Sequence, residues 1–150
     1  MRQYAQSLTS NNYIKRYMDS FKEQRRYPRI FLPADEVTLA KIVPAGGEKT
    51  YDVRLLNISE GGIGFHCKRS AGIRFKMNDP LQLIAIVGHP HLADVADLSM
   101  EVRWVMDEEY LDHVAVGCEF IDLDPHNREL LQDFVLVALA EHNERKDGPS

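Results

Sequence analysis

Between residues 36 and 121 the chain repeats one pattern: short stretches in which apolar and polar residues alternate, each ended by a turn signal. "EVTLAKIVP" sets Val37, Leu39 and Lys41 against Thr38, Ala40 and Ile42, and stops at "PAGG". "KTYDVRLLNIS" follows and is broken by "EGG"; "GIGFHC" comes next. "DPLQLIAIVG" puts Leu81, Leu83, Ala85 and Val87 on one expected face, and "LSMEVRWVMD" does the same with Met100, Val102, Trp104 and Met106. "LDHVAVGCEFI" closes the series, with Val114, Val116, Cys118 and Phe120 alternating. Side chains on a strand point to opposite faces in turn, so each stretch reads as a strand with one buried face. Six such strands without intervening helical segments predict an antiparallel barrel or sandwich, because parallel sheets need long crossover connections.

Helical patterns are confined to the ends. Tyr13, Ile14, Tyr17, Met18 and Phe21 form one stripe at helical spacing over Tyr13 to Gln24. Pro28 stops that helix and biases Tyr27 towards an extended backbone. At the other end Asp124 is a fitting cap and Pro125 a fitting first helical residue, for a helix reaching about His142. Its middle, "LLQDFVLVALA", is apolar on most sides and is expected to be largely buried. The expected organisation is a tail and helix over residues 1–23, a barrel domain with its closing helix over 24–143, and a loose tail over 144–150.

Charge and cysteine content narrow the function. The chain has 150 residues, the size of one domain, and a formal net charge of -5. That balance argues against general attraction to DNA or to an anionic membrane. No apolar run is long enough to span a bilayer, nothing reads as a signal peptide, and Cys67 and Cys118 stand in no metal-binding or redox spacing. A cytoplasmic location with unlinked thiols is the expectation.

Against this acidic background, two clusters stand out. Arg25-Arg26-Tyr27-Pro28-Arg29 places three arginines within five residues where the barrel pattern begins. In an extended segment Arg25 and Arg29 can reach one bound object. The planar guanidinium fork suits phosphate oxygens or the O6/N7 edge of guanine, and its face can stack on a base. The second cluster is Asn57-Ile58-Ser59-Glu60-Gly61-Gly62. Asn57 and Ser59, two apart, share a side of a strand, and Gly61 and Gly62 permit positive φ and close approach of a ligand to the main chain. Each cluster alone also has an ordinary reading: a solvated basic boundary in the first case, a bulged turn in the second.

Together, in this order and within this strand pattern, they resemble the PilZ domain, whose signature is RxxxR in a linker followed by [D/N]xSxxG on the barrel. "VAVGCEFIDLD", Val114 to Asp124, is similar to that family's last strand leading into its closing helix. The resemblance covers about Gln24 to His142. It implies a mainly β fold, a six-stranded antiparallel β-barrel, here flanked by an N-terminal and a C-terminal helix. It also implies a ligand, cyclic di-GMP, held by Arg25 and Arg29 with Asn57 and Ser59 as hydrogen-bond partners. Gly62 would be the position without a side chain to obstruct the ligand, and Arg26 a further phosphate contact. Gln24 precedes the first arginine, at a position that bears in this family on whether one ligand or a stacked pair is bound. Being neither basic nor bulky, it leaves the stoichiometry open.

The expected function is therefore a receptor, not an enzyme. It would need no cofactor, would order its linker on binding cyclic di-GMP, and would signal to a protein partner. Two alternatives compete: an adaptor of the same fold acting without ligand through its helices, including self-association as a homodimer, and a phosphodiesterase. The latter would need metal ligands or a general base near the arginines, and neither is plain in the sequence. Trp104 reads as core on its strand pattern, although some relatives use an aromatic near this position against a guanine. Arg103 points away from it onto a solvated surface. His89 and His91 flank a proline in a polar turn with Asp94, and His66 and His113 stand alone in sequence.

Overall fold

The computed structural model describes residues 27–147, with side chains from Tyr27 to His142 apart from residue 70. The expected helix over Tyr13 to Gln24, and with it Arg25 and Arg26, lies outside the described residues.

The alternating stretches are strands: β2 (Leu39–Pro44), β3 (Tyr51–Ile58), β4 (Gly62–Lys68), β5 (Pro80–Val87), β6 (Ala96–Met106) and β7 (His113–Ile121). All neighbours are antiparallel, in the order β3-β2-β5-β6-β7-β4, and β4 returns to β3 to close the barrel. Closure leaves none of the six with a fully open edge, which lets short strands persist without an aggregation-prone rim. A two-residue strand, β1 (Ile30–Phe31), pairs with Asn57 and Ile58 at the end of β3 that β2 does not cover. The sequence suggested only an extended linker here; the exposed backbone edge beyond Arg54 recruits it as a strand.

The interior is filled by Ala40, Ile42, Val53, Leu55, Ile63, Phe65, Leu83, Met100, Val102, Val116 and their neighbours. Both cysteines are free and buried, and Cys118 is held by burial at a pKa of about 12, so it stays a protonated, inert thiol.

The closing helix α1 spans Pro125–Asp147. It runs five residues past His142 because "NERKD" contains good helix formers and no breaker precedes Gly148-Pro149. The Asp124 carboxylate accepts a hydrogen bond from the Asn127 backbone N–H (3.0 Å) and is held below the usual carboxylate range chiefly by that bond. Asn127 in turn bonds both backbone groups of Ala96, tying the helix start to β6. Leu131, Phe134 and Val135 are buried, with the His89 ring edge-on to Phe134. The expectation of a largely buried helix holds for one side only: Leu136 is 66% and Val137 43% exposed, because the barrel covers one side of a helix that is apolar all round at this level. Among the described residues no helix is long and apolar enough to cross a membrane.

Two bulges alter the expected facing of side chains. On β5, Ala85 pairs with Lys41 but Leu83 pairs with Ile42, so Ile84 is an extra residue. The alternation changes phase there: Ile86 points inward and Val87 lies exposed. On β6, Val102 pairs with Cys118 but Trp104 pairs with Gly117, so Arg103 is the extra residue. Cys118 faces inward; Gly117 therefore faces outward, and Trp104 goes with it. Trp104 is buried, as expected, but on the outer face of the barrel, in a small cluster with Met106, Ala115, Leu56 and Leu111. The indole lies so close over Gly117 that a Cβ there would collide with its ring. Gly117→Ala should consequently lower unfolding free energy by about 1–3 kcal/mol and change Trp104 emission, as read in a denaturant titration. An unchanged midpoint would contradict this packing.

Candidate functional site

The β3–β4 connection is the core of the site. Ser59 is 4% exposed, and its hydroxyl oxygen accepts hydrogen bonds from the N–H groups of Gly61 (3.1 Å) and Gly62 (3.2 Å). Its backbone N–H bonds the Gly62 carbonyl, 2.9 Å. The serine thus organises the turn that joins the two strands. Gly61 and Gly62 are not at positive φ; the glycines that are, among the described residues, are Gly46, Gly72 and Gly88. Their reason is steric instead. A Cβ at Gly62 would collide with the Cys118 carbonyl of β7, and one at Gly61 would sit 2.7 Å from Cδ2 of Tyr27.

Asn57 is fully buried and lies flat over Gly64, where a Cβ would come within 2.5 Å of the amide nitrogen. A bulge at Leu56 sets this up: Leu55 pairs with Phe65 inside, and Asn57 pairs with Gly64 outside. Gly64 pairs directly with Gly117. Asn57, Gly64, Gly117 and Trp104 therefore form one row across β3, β4, β7 and β6 on the outer surface. The two bare glycines let a flat carboxamide and a flat indole lie against the sheet from opposite ends.

The arginine-bearing linker is docked at the Asn57 end of this row. Nη1 of Arg29 donates to Oδ1 of Asn57 at 2.8 Å, across 28 residues of sequence. Tyr27 packs on Gly61, Ile30 and Phe31 pair with Ile58 and Asn57, the Leu32 N–H bonds the Leu56 carbonyl (2.9 Å), and Arg54 donates to the Ala34 carbonyl. Of the residues singled out from sequence, Arg29, Asn57, Ser59 and Gly62 are thus brought together; Arg25 and Arg26 fall outside the described residues. Tyr27, Gly64, Gly117 and Trp104 were not assigned to the site from sequence, and Gly61 was noted there only for its backbone freedom. The spacing of two between Gly62 and Gly64 in "GIGF" was the available signal for an outward glycine track.

The rim carries charge. Arg103, on the β6 bulge, is bound by Glu119 (2.7 Å) and Glu101 (3.1 Å), and so is paired and not merely solvated. Glu60 bonds Gln132 and lies 4.0 Å from Arg128, linking the motif turn to α1. One row further along, His66 and His113 are not isolated: their rings stack at 4.6 Å. Burial, then His113 and Arg54, push His66 down to a pKa of about 4; burial is also the main cause lowering His113. His89 accepts a bond from the His91 N–H in a 3-10 turn, and no group of three metal-ligating side chains occurs among the described residues.

A closed antiparallel barrel with an N-terminal strap docked on its outer face defines the class of this protein. The PilZ domain profile matches residues 23–136, and the chain belongs to the PilZ domain family. Among solved structures it is similar to the PilZ domain of YcgR from Escherichia coli with c-di-GMP (17% identity, TM-score 0.65, 83% of this chain and 98% of that one). It is also similar to the K. pneumonia MrkH–c-di-GMP complex (20%, 0.60, 81% and 54%) and to the Bacillus subtilis inhibitor of motility MotI/DgrA (20%, 0.57, 78% and 51%). The chain spans about half the length of the last two. MrkH is also described as a c-di-GMP-dependent transcription regulatory factor. No curated protein matches.

The depressed His66 sets a pH dependence. Its folded-state pKa lies below the unfolded value of 6.5, so the unfolded chain takes up the proton first. The histidine's stabilising effect is complete above pH 6.5 and is lost as pH falls towards about 4. Across that window the unfolding free energy of the unaltered protein should fall by on the order of 3 kcal/mol more than that of His66→Gln. Parallel pH profiles for the two would contradict it.

Proposed function

We propose that this protein is a cyclic di-GMP receptor in which the linker arginines close on the ligand over the outer face of the barrel. The observation that carries this reading is the Arg29–Asn57 hydrogen bond. It joins the two motifs and sets a guanidinium at the Asn57 end of the row that runs to Trp104. Cyclic di-GMP offers two phosphates and two guanines, and arginine is suited to both. Arg25, Arg26 and Arg29 would contact the ligand directly. Asn57 and Ser59 have their polar atoms engaged within the chain, so in this reading they act through others: Asn57 orients Arg29 and Ser59 shapes the turn. Gly62 keeps β4 against β7 so that the surface beside the turn stays low. Trp104, buried at the far end of the row, would bound that surface without presenting its ring face to a base.

Binding would be the whole of the chemistry, with no bond made or broken. The linker changes conformation when the ligand is bound, and the change is passed to a protein partner in the cytoplasm. DNA binding and membrane insertion form no part of the proposal. A specific observation also keeps the adaptor reading in view: Leu136 and Val137 leave an apolar side of α1 uncovered, which a partner or a second copy could cover.

Calorimetry with cyclic di-GMP tests the reading. Micromolar or tighter binding is expected for the unaltered protein. Arg29→Ala should weaken it by about 1.5–3 kcal/mol, on the order of 10- to 150-fold, and Asn57→Ala by a smaller factor. Saturating ligand that produces no heat with the unaltered protein would exclude the receptor reading and favour the adaptor.

A further inference from the structure

Tyr27 is the middle residue of the arginine segment, and Gly61 is a variable position of the second motif; neither belongs to the fixed letters of the two signatures. The tyrosine ring nonetheless lies directly over Gly61: a methyl group there would stand 2.7 Å from Cδ2 and 3.2 Å from Cε2 of the ring. Gly61 is not at positive φ, so backbone conformation does not require a glycine there. Its amide is held by the Ser59 hydroxyl and its carbonyl by the Phe120 N–H (2.9 Å), which fixes the peptide units on both sides of the Cα that the ring meets. Two residues on, Arg29 meets Asn57. Only Pro28, with its fixed φ, lies between Tyr27 and Arg29, so a ring seated on Gly61 restricts where the Arg29 side chain can reach and favours Asn57.

We infer that Tyr27 is a positioning residue for the arginine linker, an aromatic latch whose seat is the bare backbone of Gly61. The second motif then has two docking points for the first: Asn57 takes the guanidinium, and Gly61 takes the ring. Ser59 serves both by fixing the turn between them. The latch engages without ligand, so Arg29 is held against Asn57 before cyclic di-GMP arrives. This ordering lowers the conformational entropy lost on binding. The ligand part of the inference rests on the receptor reading; the latch itself does not.

Hydrogen exchange on the ligand-free protein tests the latch, read on the amides of Ile30 to Leu32. Tyr27→Ala and Gly61→Ala should each speed exchange there by about tenfold, the scale of a lost aromatic packing contact. The double variant should be no faster than either single one, since both remove the same contact. Tyr27→Phe should exchange like the unaltered protein, because the ring and not the hydroxyl is what seats. Unchanged exchange in the single variants, or additive effects in the double one, would overturn the inference. Calorimetry adds the second arm: Tyr27→Ala should weaken cyclic di-GMP binding while Tyr27→Phe retains it. Failure of the unaltered protein to bind would sink the receptor reading, and the exchange rates would still decide the latch.

Discussion

A single side-chain bond, Arg29 to Asn57, makes a strap and a barrel into one surface. A guanidinium donating to a buried amide oxygen is charge-assisted and stronger than a neutral pair. It forms only because several other constraints are met. Asn57 must face outward, which the Leu56 bulge arranges. It must lie flat, which Gly64 allows. The arginine must arrive in register, which β1 pairing and the Tyr27–Gly61 contact secure. Each of these is a backbone condition, and each is met by a residue with little or no side chain or by an extra residue in a strand.

The bulges deserve the same weight as the motif letters. Without the extra residue at Arg103, strict alternation would send Trp104 into the barrel with Met100 and Val102. With it, the indole turns out over Gly117, and the outer face acquires an aromatic group in line with Asn57. The shift also leaves Arg103 between Glu101 and Glu119 at the rim. Bulges often sit beside functional surfaces for this reason: one inserted residue re-aims every side chain beyond it.

Much of the architecture was legible in the sequence because period-two alternation, turn residues and capping all point to the same elements. The six barrel strands and the start of α1 follow from those signals. The bulges did not, since apolar residues flank them on both sides: "LIAIV" and "VRWVM" read equally well with or without an extra residue. Val87 and Trp104 were therefore assigned to the wrong face. The two motifs were legible through their resemblance to a family, but the inward use of the Asn57 and Ser59 polar atoms was not. Spacing tells which side of a strand a residue takes, and says nothing of whether a partner within the chain is already there. Tyr27, Gly64 and Gly117 stayed invisible, and Gly61 was noted for a backbone freedom it does not use, because the meaning of a glycine depends on what lies across from it.

The central claim is that one ligand bridges the strap and the row from Asn57 to Trp104. Amide and indole chemical shifts during a titration with cyclic di-GMP test it most directly. The account predicts saturable shifts at Arg29 to Phe31, at Gly61, Gly62, Gly64 and Gly117, and at the Trp104 indole N–H, with little change around His89 to Leu92, which pack against α1. Shifts confined to other surfaces, or none at saturating ligand, would contradict it.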